Sequence, residues 1–377
     1  MDLGLSESQQ MLKSSAREFL ERECPPTYVR AMEEDAKGFT DELWDKVVGL
    51  GWTALPFPEQ YGGMGGSFLD LCVLLEEMGR SLLPGPFFST VVLGGATILD
   101  AGSEQQKQEF LTQIAEGKLF VTLALTEPSG TYEPWGVQAQ AQDHGDVFTL
   151  TGTKLFVPDA HVADYLIVAA RTRQEQDPSK GITLFLVPTR TQGVSVTPLK
   201  TIASDKQFEV QLQEVRVPRT AVLGRVHEGW PIVQRALERA AAATCVQMVG
   251  GAQMVLDMTV EYAKQRVQFG RPIGSFQAIQ HHCANMATDV EGSRFIAYQA
   301  AWKVSEGEPA TREVAMAKAW VSEAYRRVCA LAHQSHGAIG FTKEHNLQLY
   351  TRRAKAAEVT YGDAAFHREL VAQEIGL

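Results

Sequence analysis

The sequence predicts a mainly α protein with a central β domain, and two changes of hydrophobic period along its 377 residues predict it. Apolar positions recur at helical spacing up to about Gly117. They fall into short strand-length blocks from about Leu119 to Val222, and long helical stretches return from Trp230 onward. The expected architecture is an N-terminal helical domain over residues 1–118, a small β-barrel or sandwich over 119–224, and an antiparallel four-helix bundle over 225–377.

Each block has its own punctuation. Ser6-Glu7-Ser8-Gln9 fits a capping box, so a helix starts there, and Pro25-Pro26 marks its expected end. Further helices are expected at Asp41 to Leu50, Leu69 to Met78 and Gln105 to Glu116, between glycine and proline breaks. Val147 to Leu150, Tyr165 to Ala169, Thr183 to Val187 and Phe208 to Leu212 read as strands. The bundle helices fall near Trp230 to Val267, Phe276 to Ser305, Arg312 to His336 and His345 to Glu374.

Composition narrows the function classes. With 45% hydrophobic and 21% charged residues, the chain can bury a large core. A net charge of -10 argues against phosphate-neutralising contact with nucleic acid or anionic membranes, while leaving room for a local basic pocket. Cys24, Cys72, Cys245, Cys283 and Cys329 are scattered and odd in number, so no disulfide framework or zinc site is expected and a reducing cytoplasm is the natural home. His281 and His282 are adjacent on a helix and point apart, a poor geometry for a shared metal. Met1 to Ser6 lacks the basic-then-apolar order of a secretory signal, and no run of about 18 apolar residues predicts a membrane helix.

Two strings in the last third carry chemistry. In Arg266-Val267-Gln268-Phe269-Gly270-Arg271-Pro272-Ile273, followed by Phe276-Gln277, an arginine near a helix end precedes a turn and a proline that cannot continue the helix. A guanidinium there can fork onto a pyrophosphate, although any cation is also favoured at a helix C-terminus. The second string, Gln334-Ser335-His336-Gly337-Ala338-Ile339-Gly340-Phe341, has small residues that let a backbone approach a ligand closely. Together they resemble the signatures of acyl-CoA dehydrogenases, and the resemblance covers essentially the whole chain. It implies an FAD-dependent oxidoreductase in which Arg266 contacts the FAD pyrophosphate, Phe269 packs against the nucleotide and Gln277 lies near it. Gln334 and Gly337 would belong to a second cofactor-facing segment, here with Ala338 for a glycine and Phe341 for a tyrosine. In that family these segments serve the FAD of an adjacent subunit. The resemblance therefore implies a homo- or hetero-tetramer that takes an acyl-CoA substrate and passes electrons to an electron-transfer flavoprotein.

The strand block carries the flavin side of the same resemblance. Thr126-Glu127-Pro128 is similar to a segment whose threonine approaches the isoalloxazine ring, and Gly152-Thr153-Lys154-Leu155-Phe156-Val157-Pro158 to one whose tryptophan covers it. Phe156 keeps an aromatic face there. Pro158 stands where a hydroxyl residue is usual and supplies neither O–H nor N–H, so one flavin contact should be missing.

The resemblance also says where a catalytic carboxylate should be. Family members commonly have Tyr-Glu-Gly-Thr where this chain reads Thr360-Tyr361-Gly362-Asp363, so a tyrosine occupies the place of the base. With a reference pKa of about 10, it is no equivalent base at neutral pH. Relatives with the glutamate on the first bundle helix align it with Ala240. Two candidates are left: Asp363, which can equally be a helix N-cap, and Glu238, which can equally be a surface acid beside Arg239. The segment Tyr361 to Leu370 resembles bacterial α2β2 dehydrogenases acting on bulky steroid or cyclic acyl-CoA substrates in lipid degradation, in which one subunit can supply the base and its partner completes the FAD site. A catalytically silent structural subunit is the further alternative.

Overall fold

The computed structural model of the chain describes residues 4–377; residues 1–3, the start of the segment read above for a signal, lie outside the described residues. In chain order the N-terminal helices are α1 (Glu7–Glu23), α2 (Pro26–Glu34), α3 (Asp41–Gly49), α4 (Phe68–Ser81), α5 (Ala96–Ala101) and α6 (Glu104–Ala115). The strands follow as β1 (Val121–Ala124), β2 (Gln140–Asp143), β3 (Val147–Pro158), β4 (Tyr165–Arg171), β5 (Ile182–Pro188), β6 (Val194–Leu199), β7 (Gln207–Pro218) and β8 (Val222–Leu223). Then come α7 (Trp230–Gln265), a hairpin of β9 (Val267–Gln268) and β10 (Arg271–Pro272), α8 (Gln277–Ser305), α9 (Thr311–His336), α10 (Leu347–Val359) and α11 (Ala364–Glu374).

The chain divides into two compact units. One takes the described part of residues 1–31 with 68–83 and 241–377; the other takes 32–67 and 84–240. Among the described residues no helix is long and apolar enough to cross a membrane. No group of three or more His, Cys, Asp or Glu among them is placed to hold a metal.

In the first unit the expected capping box forms: Ser6 Oγ accepts from Gln9 N at 3.2 Å, and Ser6 N donates to Gln9 Oε1 at 3.0 Å. α1 stops at Glu23, and Pro26 opens a helix that the sequence reading did not include, since proline at a first helical position gives up an N–H that would be unpaired anyway. α4 buries two acids. Glu76 accepts from Lys13 Nζ at 2.9 Å and Tyr298 O–H at 2.6 Å, and Arg17 forks onto Glu77 at 2.8 and 2.9 Å. Burial alone would push the Glu76 carboxyl up, but the charges of Lys13 and Arg294 and the Tyr298 bond outweigh it and hold the group low.

The expected fourth bundle helix, His345 to Glu374, is two helices. Tyr361 and Gly362 take φ of +58° and +96°, so α10 ends and α11 begins anew at Asp363. An α-helix cannot pass through two consecutive residues in that region.

In the second unit the strands make one eight-stranded sheet, ordered β6-β7-β3-β2-β4-β5-β8, with β1 pairing β4 in parallel. Phe148 and Leu150 of β3, Val168 of β4, Phe185 of β5 and Val210 of β7 share a single buried core, so the sheet curls over its own apolar face. A π-helical segment, Phe88–Gly95, buried from Ser89 onward, leads into α5; this near-continuous apolar run has no helical period to read in the sequence.

Candidate active site

β3 pairs with β7 through two register breaks, and the second lies between Lys154 and Val157. Leu155 and Phe156 are the extra residues there, and Phe156 takes φ +52°. A bulge of this kind turns a side chain out of the sheet. Phe156 is 56% exposed, whereas Lys154 and Val157 on either side are fully buried. The Leu155 N–H donates to Thr126 O at 2.8 Å, so the loop after β1 and the β3 bulge, the two segments singled out for a flavin, are bonded side by side.

An ion pair fixes that junction. Lys154 Nζ donates to Glu127 Oε1 at 2.6 Å and to Leu125 O at 3.2 Å. The Glu127 carboxylate also accepts from Gln138 N and Ala139 N at 3.0 Å. Burial pushes the Lys154 ammonium below its ordinary range, against the pull of Glu127. Arg171, also buried, ties the neighbouring loops by donating to Val137 O, Pro134 O, Pro178 O and Lys180 O at 2.9 to 3.1 Å.

In the other unit, the Arg266 string forms the expected turn. β9 and β10 pair around Phe269 and Gly270, both at positive φ, the tight hairpin geometry that suits a glycine in its second place. Phe269 is 93% exposed, and the Arg271 guanidinium lies 4.2 Å over the Phe276 ring. Gln277 opens α8, whose first turn no side chain caps. The Gln334 string sits beside this hairpin's root. Tyr262, one turn before Arg266, stacks on His336 at 4.5 Å and donates to His336 O at 3.4 Å. Gly337 then ends α9 at φ +65°, ψ -145°, a conformation open in practice only to glycine, and the space over its α-carbon is empty. Arg266, Phe269, Gln277, Gln334 and Gly337 are thus brought together at one end of the bundle, all on the surface of the chain.

The two candidate acids, Asp363 and Glu238, belong to different compact units. Asp363 is exposed and caps α11, its Oδ1 accepting from Phe366 N at 2.9 Å. Glu238 is half-buried on α7, and its neighbour Arg239 donates to Asp100 Oδ2 at 2.6 Å. Ala240 is fully buried.

The bend between α10 and α11 holds residues that sequence reasoning missed. Lys318, on α9 and fully buried, donates to Gly362 O at 2.8 Å, Glu358 O at 3.1 Å and Ser322 Oγ at 3.2 Å. His367 Nε2 donates to Tyr361 O at 2.9 Å. Burial pushes the Lys318 ammonium down to about 8; burial and the Lys318 charge push His367 down to about 4. The available signal was a lysine on an apolar helix face, four residues after Val314 and three before Val321.

The surface groups on the bundle suit the nucleotide half of FAD: a guanidinium and an uncapped helix start for the pyrophosphate, two amide side chains, and exposed Phe269 and Phe341 for the rings. On the sheet, Thr126 and Phe156 offer a hydroxyl and an aromatic face for the flavin, and Pro158 offers no donor. A helical domain, a curled sheet and a bundle bearing such segments define a flavin-dependent oxidoreductase.

Family comparison agrees with that class. The acyl-CoA dehydrogenase N-terminal, middle and C-terminal domain models match residues 6–118, 122–215 and 227–376. The chain belongs to the acyl-CoA dehydrogenase family. It is 33% identical to the probable acyl-CoA dehydrogenase YngJ of Bacillus subtilis, with 100% of both chains covered. Butyryl-CoA dehydrogenase from Megasphaera elsdenii superposes with a TM-score of 0.92 at 31% identity, covering 100% of both chains. A chain of the ChsE4-ChsE5 complex from Mycobacterium tuberculosis does so with 0.91 at 30% identity, covering 100% of this chain and 99% of that one.

Proposed function

We propose that this chain is the base-deficient subunit of a heteromeric, cytoplasmic acyl-CoA dehydrogenase that introduces an α,β double bond into an acyl-CoA thioester. The observation that carries this reading is Tyr361. It occupies the bend where family members place a glutamate, and the nearest acid, Asp363, is committed to capping α11. When bound, FAD supplies the acceptor for the hydride leaving the β-carbon. The chain's own part would be twofold: on the bundle, Arg266 and the start of α8 would neutralise the pyrophosphate of an adjacent subunit's FAD while Phe269 packs against its nucleotide and Gly337 leaves room for it; on the sheet, Thr126 and Phe156 would be this chain's own flavin-facing groups. The α-proton goes to a carboxylate of the partner subunit. The exposed apolar groups Val267, Phe269, Ile339 and Phe341 around the cofactor segments favour an interface with another subunit, since such a cluster is costly to leave in water. A bulky or cyclic acyl group fits the resemblance of the Tyr361 to Leu370 tail, and an electron-transfer flavoprotein is the expected electron acceptor.

The test is to express the chain alone and with a co-purifying partner, then record visible flavin absorbance and its bleaching by acyl-CoA esters. Flavin that bleaches only in the two-chain preparation is the expected result. Bleaching by the isolated chain would instead make it self-sufficient, with Asp363 or Glu238 as base. Absence of flavin from every preparation would leave a structural subunit.

A further inference from the structure

We propose that Lys318 and His367 are positioning residues that lock the backbone bend at Tyr361 and so fix the direction of its side chain toward the acyl thioester; the second clause rests on the function proposed above. Where α10 breaks, its last carbonyls and those of the bend lose their helical partners. Water can satisfy such groups at a surface. Here an ammonium does so from inside the bundle, a placement that costs several kcal/mol in desolvation unless every donor is used. Every donor is: Nζ reaches Glu358 O, Gly362 O and Ser322 Oγ.

His367 holds the carbonyl in between. Its Nε2 must carry the hydrogen, because Tyr361 O can only accept, and its Nδ1 is buried without a partner, as suits an unprotonated nitrogen. The bend is packed from a third side as well. A β-carbon at Gly362 would lie 2.3 Å from Phe366 Cδ1 and 3.0 Å from His367 Nε2, so the glycine admits no substitute. Carbonyls 358, 361 and 362 are therefore tied from two helices, around a tyrosine held at φ +58°, a strained setting for a bulky residue. Strain of that kind persists where the surroundings over-determine it, and its product is a single orientation for one side chain.

The test uses the flavin-loaded two-chain complex and the acyl-CoA ester that bleaches it. Lys318→Met and His367→Leu are expected to speed amide hydrogen exchange at residues 360–363 about tenfold or more and to raise KM about tenfold. His367→Gln, which keeps a donor at similar reach, should restore both readouts. In a Tyr361→Ala background, Lys318→Met should change KM less than about twofold, since a residue acting through Tyr361 has nothing left to position. Unchanged exchange in both single variants overturns the lock, and fully multiplicative effects of Lys318→Met and Tyr361→Ala overturn its action through Tyr361. If exchange rises but Tyr361→Ala leaves kcat and KM untouched, the bend does not face substrate and the positioning role fails, while the base-deficient reading stands or falls on the bleaching test alone. Should Lys318→Met not fold, the His367→Leu and His367→Gln pair decides the same question.

Discussion

Lys154 and Glu127 meet at 2.6 Å inside the sheet domain, the lysine with no exposed surface at all. The pair joins the loop carrying Thr126 to the strand carrying Phe156, so its loss should be felt at both. Lys154→Met leaves a buried carboxylate with only backbone N–H partners, and breaking a buried pair from one side costs about 3–5 kcal/mol. The expected outcome is a large fall in the thermal midpoint together with loss of flavin absorbance from the purified complex. Changing both partners together, Lys154→Met with Glu127→Leu, should recover much of the stability but not the flavin.

Gly337 ends α9 in a conformation that other residues avoid, with nothing packed over it. Gly337→Ala meets no steric neighbour and is penalised only by its backbone angles, by about 1–3 kcal/mol. Relaxation of the turn would move the Gln334 segment. FAD content per chain, read from absorbance, should drop in this variant while far-ultraviolet circular dichroism stays close to the parent.

These sites show what was legible and what was not. The Ser6 capping box and the Phe269-Gly270 hairpin were readable because their hydrogen bonds close within a few residues, so local chemistry decides them. Phe156 was singled out for its position in a motif, but its outward throw depends on how β3 registers against β7, which no local pattern specifies. Glu127 and Lys154 are 27 residues apart and Lys318 and Gly362 are 44 apart, so each looked like an ordinary charge until the fold paired it. The break at Tyr361 was legible only in part: Gly362 and the possible N-cap at Asp363 mark it locally, whereas the donors that hold the bend come from α9 and from the next helix.

His367 gives the fold an acid-sensitive point. Its pKa falls from 6.5 to about 4 because burial, and then the Lys318 charge, disfavour the protonated ring. The unfolded chain therefore binds the proton more readily between those values. The contribution is fully present above pH 6.5 and is lost as pH falls toward 4, amounting to about 3 kcal/mol in all. Thermal midpoints at pH 7 and pH 5 should differ less in His367→Gln than in the parent chain. An equal difference would mean that the ring titrates normally.

Asp363 offers a clean separation between a cap and a base. Its Oδ1 accepts from Phe366 N at the start of α11, a task that asparagine performs equally well and alanine does not. Asp363→Asn should therefore keep the stability of the parent, whereas Asp363→Ala should lose about 1 kcal/mol. A proton acceptor has the opposite requirement, because an amide retains the shape of the carboxylate and none of its basicity. If the partner subunit supplies the base, turnover by the Asp363→Asn complex should stay within about twofold of the parent, the range expected for a surface change away from the chemistry. A loss of several orders of magnitude, with the thermal midpoint unmoved, would make Asp363 the base and the chain an enzyme in its own right. Glu238→Gln, measured in the same assay, distinguishes the remaining acid by the same logic.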